Sequence, residues 1–225
     1  MNPTLSARTA FVSTLLCVLA FGASARAASL TVSGWTLGDY VNVSSPNRSG
    51  TVATAELNVS GNGVTGFSYC VDLAQNITTG TTTGWEFASP EMSAQVIRAA
   101  WLVDTFRPQF ESLIAPGITK QTEIAALQVA VWEVMGETPG NYNLGSGSFS
   151  ATGSANVLNL SNTMLGALGN ADLSNFDTSA IWAMNRNYQD QLIFPKVNPI
   201  PEPATIGLYG FGALIAAFGL RRKSS

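Results

Sequence analysis

Histidine is missing from all 225 residues of the chain. Its absence excludes Ser-His-Asp and Cys-His catalysis, histidine-held zinc and the imidazole proton shuttle that works near neutral pH. Charge is scarce as well. Asp, Glu, Lys and Arg make up 11% of the residues, and 11 basic against 14 acidic side chains leave a net charge of −3. No basic patch is present, so nucleic-acid binding has no electrostatic footprint. Glycine-rich phosphate loops are absent, no internal repeat is visible, and no spaced carboxylate pair of the glycosidase kind stands out. Cysteine occurs only twice, at Cys17 and Cys70.

What is present begins at the two ends. Met1 to Arg8 is a weakly basic lead, Ala10 to Ala23 is apolar, and Ser24-Ala25-Arg26-Ala27 follows. The run is too short to span a bilayer comfortably and ends in an A-x-A site, so residues 1–27 read as a signal peptide cut after Ala27. A retained membrane anchor is the alternative. Cleavage discards Cys17 and leaves Cys70 alone. An unpaired cysteine in an exported protein implies intermolecular pairing or special thiol chemistry, although a buried cysteine also serves as a small hydrophobe.

At the other end, Pro199-Ile200-Pro201-Glu202-Pro203-Ala204 leads into an apolar run from Ile206 to Leu220, then Arg221-Arg222-Lys223. The run, 206–220, reads as a short transmembrane segment, and the basic cluster should stay cytoplasmic as its stop. An ordinary tail anchor would look similar. The order of Pro201-Glu202-Pro203, short span and terminal basic residues resembles the PEP-CTERM sorting signal of Gram-negative bacteria, read by an exosortase. The resemblance implies a transient stay in the inner membrane, processing near the motif, and transfer to the cell surface or extracellular matrix. It assigns residues 199–225 to sorting and leaves 28–198 as one domain of ordinary size.

That domain reads as β and then α. Leu30-Thr31-Val32 and Trp35-Thr36-Leu37 are short strand candidates, and Ala53 to Val59 alternates as a half-buried strand does. Asn62-Gly63 signals a hairpin, with a return strand from Val64 to Leu73. On that strand Phe67, Tyr69, Val71 and Leu73 face one way, and Ser68, Cys70 and Asp72 the other. Cys70 therefore sits off the main core face and needs other cover. Ser89-Pro90-Glu91 starts a helix running to about Phe106, before Arg107-Pro108. A second helix runs from near Thr119 to Gly136. Tyr142-Asn143-Leu144 and Ser148-Phe149 are strand pieces, Val157 to Leu168 a short helix, and Ser179 to Met184 and Asp190 to Phe194 closing strands. The expected class is α+β: a β-rich sandwich or barrel body with helices inserted between Cys70 and Gln128, plus the C-terminal transmembrane helix.

Gln128 lies in the middle of the apolar stripe Ile124, Val131, Met135 of the second helix, with Leu127 beside it. An unpartnered buried amide costs roughly 1–3 kcal/mol by mutational measures. Either backbone groups satisfy this one, or it has been consumed chemically. A thiol that attacks a neighbouring carboxamide expels ammonia and leaves a thioester.

Tyr69-Cys70-Val71, followed by Leu127-Gln128-Val129-Ala130-Val131-Trp132, resembles the thioester domains of bacterial surface adhesins. Those domains carry a large apolar residue before the cysteine and a later Gln-x-Ala-apolar-Trp. Leu127 stands where threonine is often found. The resemblance implies a Cys70–Gln128 thioester supported by Tyr69, Ala130 and Trp132. It also implies covalent attachment to amine groups on a surface protein or matrix component, with no cofactor or metal. Such a domain is a single-turnover reagent rather than an enzyme. Because the best-known relatives are fixed to Gram-positive walls, the different anchor points to a matrix or neighbouring-cell target. Trp132 and Tyr69 are candidates for keeping water off the bond, or simply aromatic core. Asp72 and Glu133 are candidate weak bases, or exposed solubilising carboxylates. The rival reading is a non-covalent structural or carbohydrate-binding matrix protein using Trp35, Trp85 and Trp182 as exposed aromatics, with Cys70 merely buried.

Overall fold

The structure is a computed structural model that describes residues 28–110 and 117–196. The expected signal peptide and the sorting segment with its 206–220 span lie outside the described residues. Among the described residues seven strands and three α-helices follow in the order β1 (Ala28–Ser45), β2 (Arg48–Gly61), β3 (Val64–Cys70), β4 (Gly80–Ala88), α1 (Ala94–Phe106), α2 (Lys120–Gly136), β5 (Ser150–Thr152), α3 (Ala155–Gly169), β6 (Ile181–Met184) and β7 (Gln191–Pro195). The strands form one antiparallel sheet in the order β2-β3-β7-β6-β4-β1-β5. Strand β1 also pairs with β2, so six strands close into a ring and β5 adds outside it. Of the two expected β architectures, closure makes this the barrel.

The long first strand explains the closure, and it is longer than the sequence suggests. Two short strands were expected; one strand of 18 residues is found. Register shifts against β2 fall between Val32 and Gly34 and between Leu37 and Tyr40. Each extra residue swaps the inward and outward faces. Leu30 and Val32 pack inside the barrel, whereas Val41 and Val43 join the helix-side core. In between, Trp35 pairs with Leu57, Leu37 with Ala55 and Tyr40 with Ala53, which places these three side chains on the inward face beyond the closed part of the barrel. Simple alternation cannot foresee such switches. Asn62 and Gly63 both take positive φ, 49° and 76°, as the expected two-residue hairpin requires.

Two cores result. The barrel interior holds Leu30, Val32, Leu57, Val59, Cys70, Trp85, Ala183 and Ile193. A larger core lies between the outer sheet face and the helices, and includes Tyr69, Val71, Leu102, Ile124, Leu127 and Phe149. Both cores are built from side chains between residues 28 and 196. Strand β4 was not foreseen, because Gly80-Thr81-Thr82-Thr83-Gly84 looks like a polar loop. It is a strand because β1 and β6 pair with it on either side.

Helix α2 is the axis of the larger core. The helix starts where expected, and Thr119 caps it: its Oγ1 accepts the Thr122 N–H. From Thr122 to Val134 every residue is buried, since β1, α1 and α3 surround the helix. The sequence suggested a one-sided stripe, and the structure corrects this. Gly38 on β1 permits the close approach, because a Cβ there would lie 2.9 Å from the Ala125 nitrogen. On the α3 side, Ser161 Oγ donates to the Ala126 carbonyl at 2.9 Å. The expected start of α1 is displaced. Ser89 caps only a 3-10 turn, Pro90–Met92, and Ser93 caps the α-helix itself.

Candidate functional site at the barrel mouth

Cys70 is the last residue of β3 and faces the barrel interior. The last β2–β3 pair is Leu57 with Ser68. Two residues on, Ala55 would oppose Cys70, but β3 ends there while β2 continues along β1. The splay leaves the Cys70 N–H and C=O without a strand partner on that side. Buried and unpaired, each would cost about 1–3 kcal/mol.

Gln128 fills the gap. Its Oε1 accepts the Cys70 N–H at 3.2 Å, and its Nε2 donates to the Cys70 carbonyl at 2.7 Å. The carboxamide thus continues the ladder as a peptide group would. This satisfies the amide that the sequence marked as anomalous on an apolar helix, and Gln128 is fully buried. The two candidate residues, 58 positions apart, meet at one peptide unit.

The Cys70 sulfur has a different neighbour. Gln191 Nε2 approaches Sγ to 3.4 Å, and its Oε1 lies at 3.9 Å. Burial pushes the Cys70 thiol up to about 12; the Gln191 hydrogen bond opposes that rise and the Asp72 charge adds to it. The sulfur is therefore a neutral thiol near pH 7. Gln191 lies in an expected closing strand, with no role expected of it from the sequence. Its signal was available: an amide on the same strand face as Ile193, amid Leu192 and Phe194, has the same mismatch as Gln128.

Cys70 and Gln128 open together onto a cavity of about 560 Å³ at the barrel mouth. Trp35, Leu37 and Tyr40 from β1 and Ala53, Ala55 and Leu57 from β2 form one wall; Trp132 of α2 lies deeper in. Trp35, Leu37 and Tyr40 are 48%, 44% and 64% exposed. Only Met92 joins them as an exposed large hydrophobic among the described residues, so exposed apolar surface gathers at this mouth. Among the described residues Arg48 is its one charged lining residue, bonded through Nη1 to Asn76 Oδ1 at 2.7 Å, and no carboxylate lines it.

The supporting residues divide. Trp132 is 4% exposed and lines the cavity, with Nε1 buried and lacking a hydrogen-bond partner among the described residues. Tyr69 points to the other face. Its hydroxyl donates to Glu56 Oε2 at 3.1 Å, and Arg107 grips the same carboxylate through Nε at 2.6 Å and Nη2 at 3.0 Å. Tyr69 therefore anchors β3 to the helix-side core instead of covering the sulfur. Ala130 is fully buried in that core.

Asp72 and Glu133 are not the exposed carboxylates of the simpler reading. Asp72 is half-buried. Its Oδ1 accepts from the Ala74 and Gln75 N–H groups and its Oδ2 from the Asp190 N–H, which binds the end of β3 to the start of β7. Glu133 is fully buried and takes the Asn143 N–H on one oxygen, while the other has no hydrogen-bond partner among the described residues. Burial pushes its carboxyl up to about 7, against the Asn143 hydrogen bond, with a smaller push from Glu137. Trp85 is inside the barrel, donating through Nε1 to Thr82 Oγ1 at 2.8 Å, so it cannot serve as an exposed platform. Trp182 is half-buried.

Residues 199–223 match the PEP-CTERM protein-sorting motif. They contain Pro201-Glu202-Pro203 and Arg221-Arg222-Lys223. The motif marks an exported protein, first membrane-anchored and then sorted to the cell surface by an exosortase. No curated protein and no solved structure matches the chain.

Proposed function

We propose that this surface-sorted chain carries a covalent adhesion domain whose stored reactive group is a thioester between Cys70 and Gln128. The observation that carries the reading is the paired hydrogen bonding of the Gln128 carboxamide with the Cys70 peptide unit. In the forming step the Cys70 sulfur attacks Gln128 Cδ. The C–N bond breaks, nitrogen takes the electron pair and the thiol proton, and ammonia leaves. Negative charge developing on Oε1 meets the Cys70 N–H, a donor already aimed at it.

The stored bond is then opened by an amine on a partner surface or matrix component. The amine attacks Gln128 Cδ, the C–S bond breaks, and an amide cross-link and a free Cys70 thiol result. A thiolate leaves far more readily than an amide ion, so no cofactor is required. The mouth supports this use. Its exposed Trp35, Leu37 and Tyr40 offer a landing surface beside the acyl group, and Trp132 walls the inner side. The domain acts once and does not turn over.

Intact mass of residues 28–198 tests the reading. The expected species is lighter by one ammonia, is absent in Cys70→Ala, and gains one methylamine on treatment. A wild-type chain of full mass with an alkylatable Cys70 refutes it. The exposed Trp35 and Tyr40 would then favour a second reading, non-covalent binding at the same mouth.

A further inference from the structure

We propose that Gln191 is a third catalytic residue of this site, holding the Cys70 sulfur through a side-chain N–H that stabilises it as nucleophile and as leaving group. The inference rests on the thioester reading for its chemical consequence, and on geometry alone for the contact.

The orientation of the Gln191 amide is fixed by its other neighbours. The Gln189 carbonyl can only accept, and it lies 3.0 Å from Nε2. The nitrogen must therefore be on that side. Ser68 Oγ then donates to Oε1 at 2.9 Å. One Nε2 hydrogen is used by Gln189 and the second is left for Cys70 Sγ, 3.4 Å away. Ser68, Cys70 and Gln191 are all buried, and Gln191 is the β7 residue directly opposite Cys70. Among the described residues no basic side chain lines this cavity except Arg48, which bonds Asn76. The amide N–H is thus the donor that the structure places on the sulfur.

Its action follows from where the electrons go. When an amine opens the acyl bond, the C–S pair collapses onto Sγ, and the proton shed by the amine ends there as S–H. A fixed N–H aimed at the sulfur stabilises that charge before the proton arrives. In the forming direction the same N–H favours the sulfur anion that attacks Gln128 Cδ. Gln128 supplies the acyl carbon, the Cys70 N–H holds its oxygen, and Gln191 holds the sulfur.

The test compares Gln191→Leu with wild type in two measurements on residues 28–198. First, single-turnover reaction of the ammonia-deficient species with methylamine is followed by mass; loss of the donor should slow it on the order of tenfold. Second, alkylation of the Cys70 thiol by iodoacetamide is followed from pH 7 to 10, on the methylamine-opened protein. It should be slower in Gln191→Leu at every pH, also on the order of tenfold, because less thiolate is present. A merely structural role predicts the opposite sign, since a loosened barrel exposes Cys70 and speeds alkylation. Ser68→Ala, which frees the amide to turn, should give a smaller loss of the same sign. Equal or faster alkylation in Gln191→Leu overturns the proposal, as does peptide mapping that finds the acyl bond on Gln191. Should the wild-type chain carry no acyl bond, the alkylation comparison is made on its native free thiol. It then judges the Gln191–sulfur contact, while the intact mass has already judged the thioester.

Discussion

The Gln128 carboxamide on α2 and the Cys70 peptide unit on β3 exchange two hydrogen bonds, at 3.2 and 2.7 Å, where β2 has parted from β3 and stays paired with β1 alone. A helix side chain there does the work of a strand. This makes Gln128 a structural residue as well as the candidate acyl donor. Gln128→Leu leaves a buried N–H and C=O unpaired, and chemical denaturation should show a loss of about 2–4 kcal/mol. Gln128→Glu keeps one acceptor for the Cys70 N–H but puts an acidic oxygen against a carbonyl. It should be destabilised too, and should never lose ammonia.

The pH dependence of stability should carry the mark of Glu133. Its folded-state carboxyl, raised to about 7 from an ordinary 4.5, binds a proton more tightly than in the unfolded chain. The contribution is therefore fully present below about pH 4.5 and is lost as pH rises through about 7. Asp190, raised to about 6 chiefly by burial, adds a fall of the same sign at lower pH. Thermal unfolding at a series of pH values should show Tm declining between pH 5 and 7 (roughly the window these shifts define), and Glu133→Gln should flatten its upper part.

Partner capture should be separable from the stored chemistry. Trp35 and Tyr40 are exposed at the mouth, so Trp35→Ala and Tyr40→Ala should leave stability within about 0.5 kcal/mol. Reaction with methylamine, too small to use the rim, should be unchanged. Cross-linking to the natural surface should fall several-fold, read as the fraction of chain shifted to high mass on a denaturing gel.

The nucleophile should be a neutral amine. Among the described residues the cavity lining offers Arg48 and no carboxylate, so an incoming ammonium finds no counter-ion there. Below the amine's own pKa, methylamine addition should accelerate about tenfold per pH unit, following the free base. Glycerol should react more slowly than methylamine at the same concentration, because no histidine exists to deprotonate an alcohol. Faster transfer to glycerol would contradict this.

The Glu56 carboxylate ties Tyr69 on β3 to Arg107 after α1. Tyr69→Phe removes one of its hydrogen bonds and should cost about 1 kcal/mol. Arg107→Ala removes the cation and should cost more, about 3 kcal/mol, by stranding a buried charge. Equilibrium denaturation measures both, and neither change should stop the ammonia loss if Tyr69 serves only as an anchor.

Much of this molecule could be read along the chain because local chemistry dictates it. Asn62-Gly63 accepts positive φ, the second helix runs from near Thr119 to Gly136, and the β3 alternation puts Cys70 and Tyr69 on opposite faces. The oddity of one cysteine and one glutamine could be seen for the same reason: each conflicts with its immediate neighbours. The β1 strand was misjudged in two pieces, and β4 was passed over, because bulges and pairing partners lie outside any local window.

The amino-acid order alone fixed the sorting tail, the lack of imidazole chemistry and the two residues worth bringing together. Only the folded chain decided that β2 would peel from β3 at Cys70, and so leave one peptide unit for Gln128 to complete. It also decided that Gln191 would lie against the sulfur and that Tyr69 would turn away from it. The physical reason is hydrogen-bond satisfaction in a closing barrel: every buried N–H and C=O needs a partner, and which group supplies it depends on strands and helices far apart in sequence.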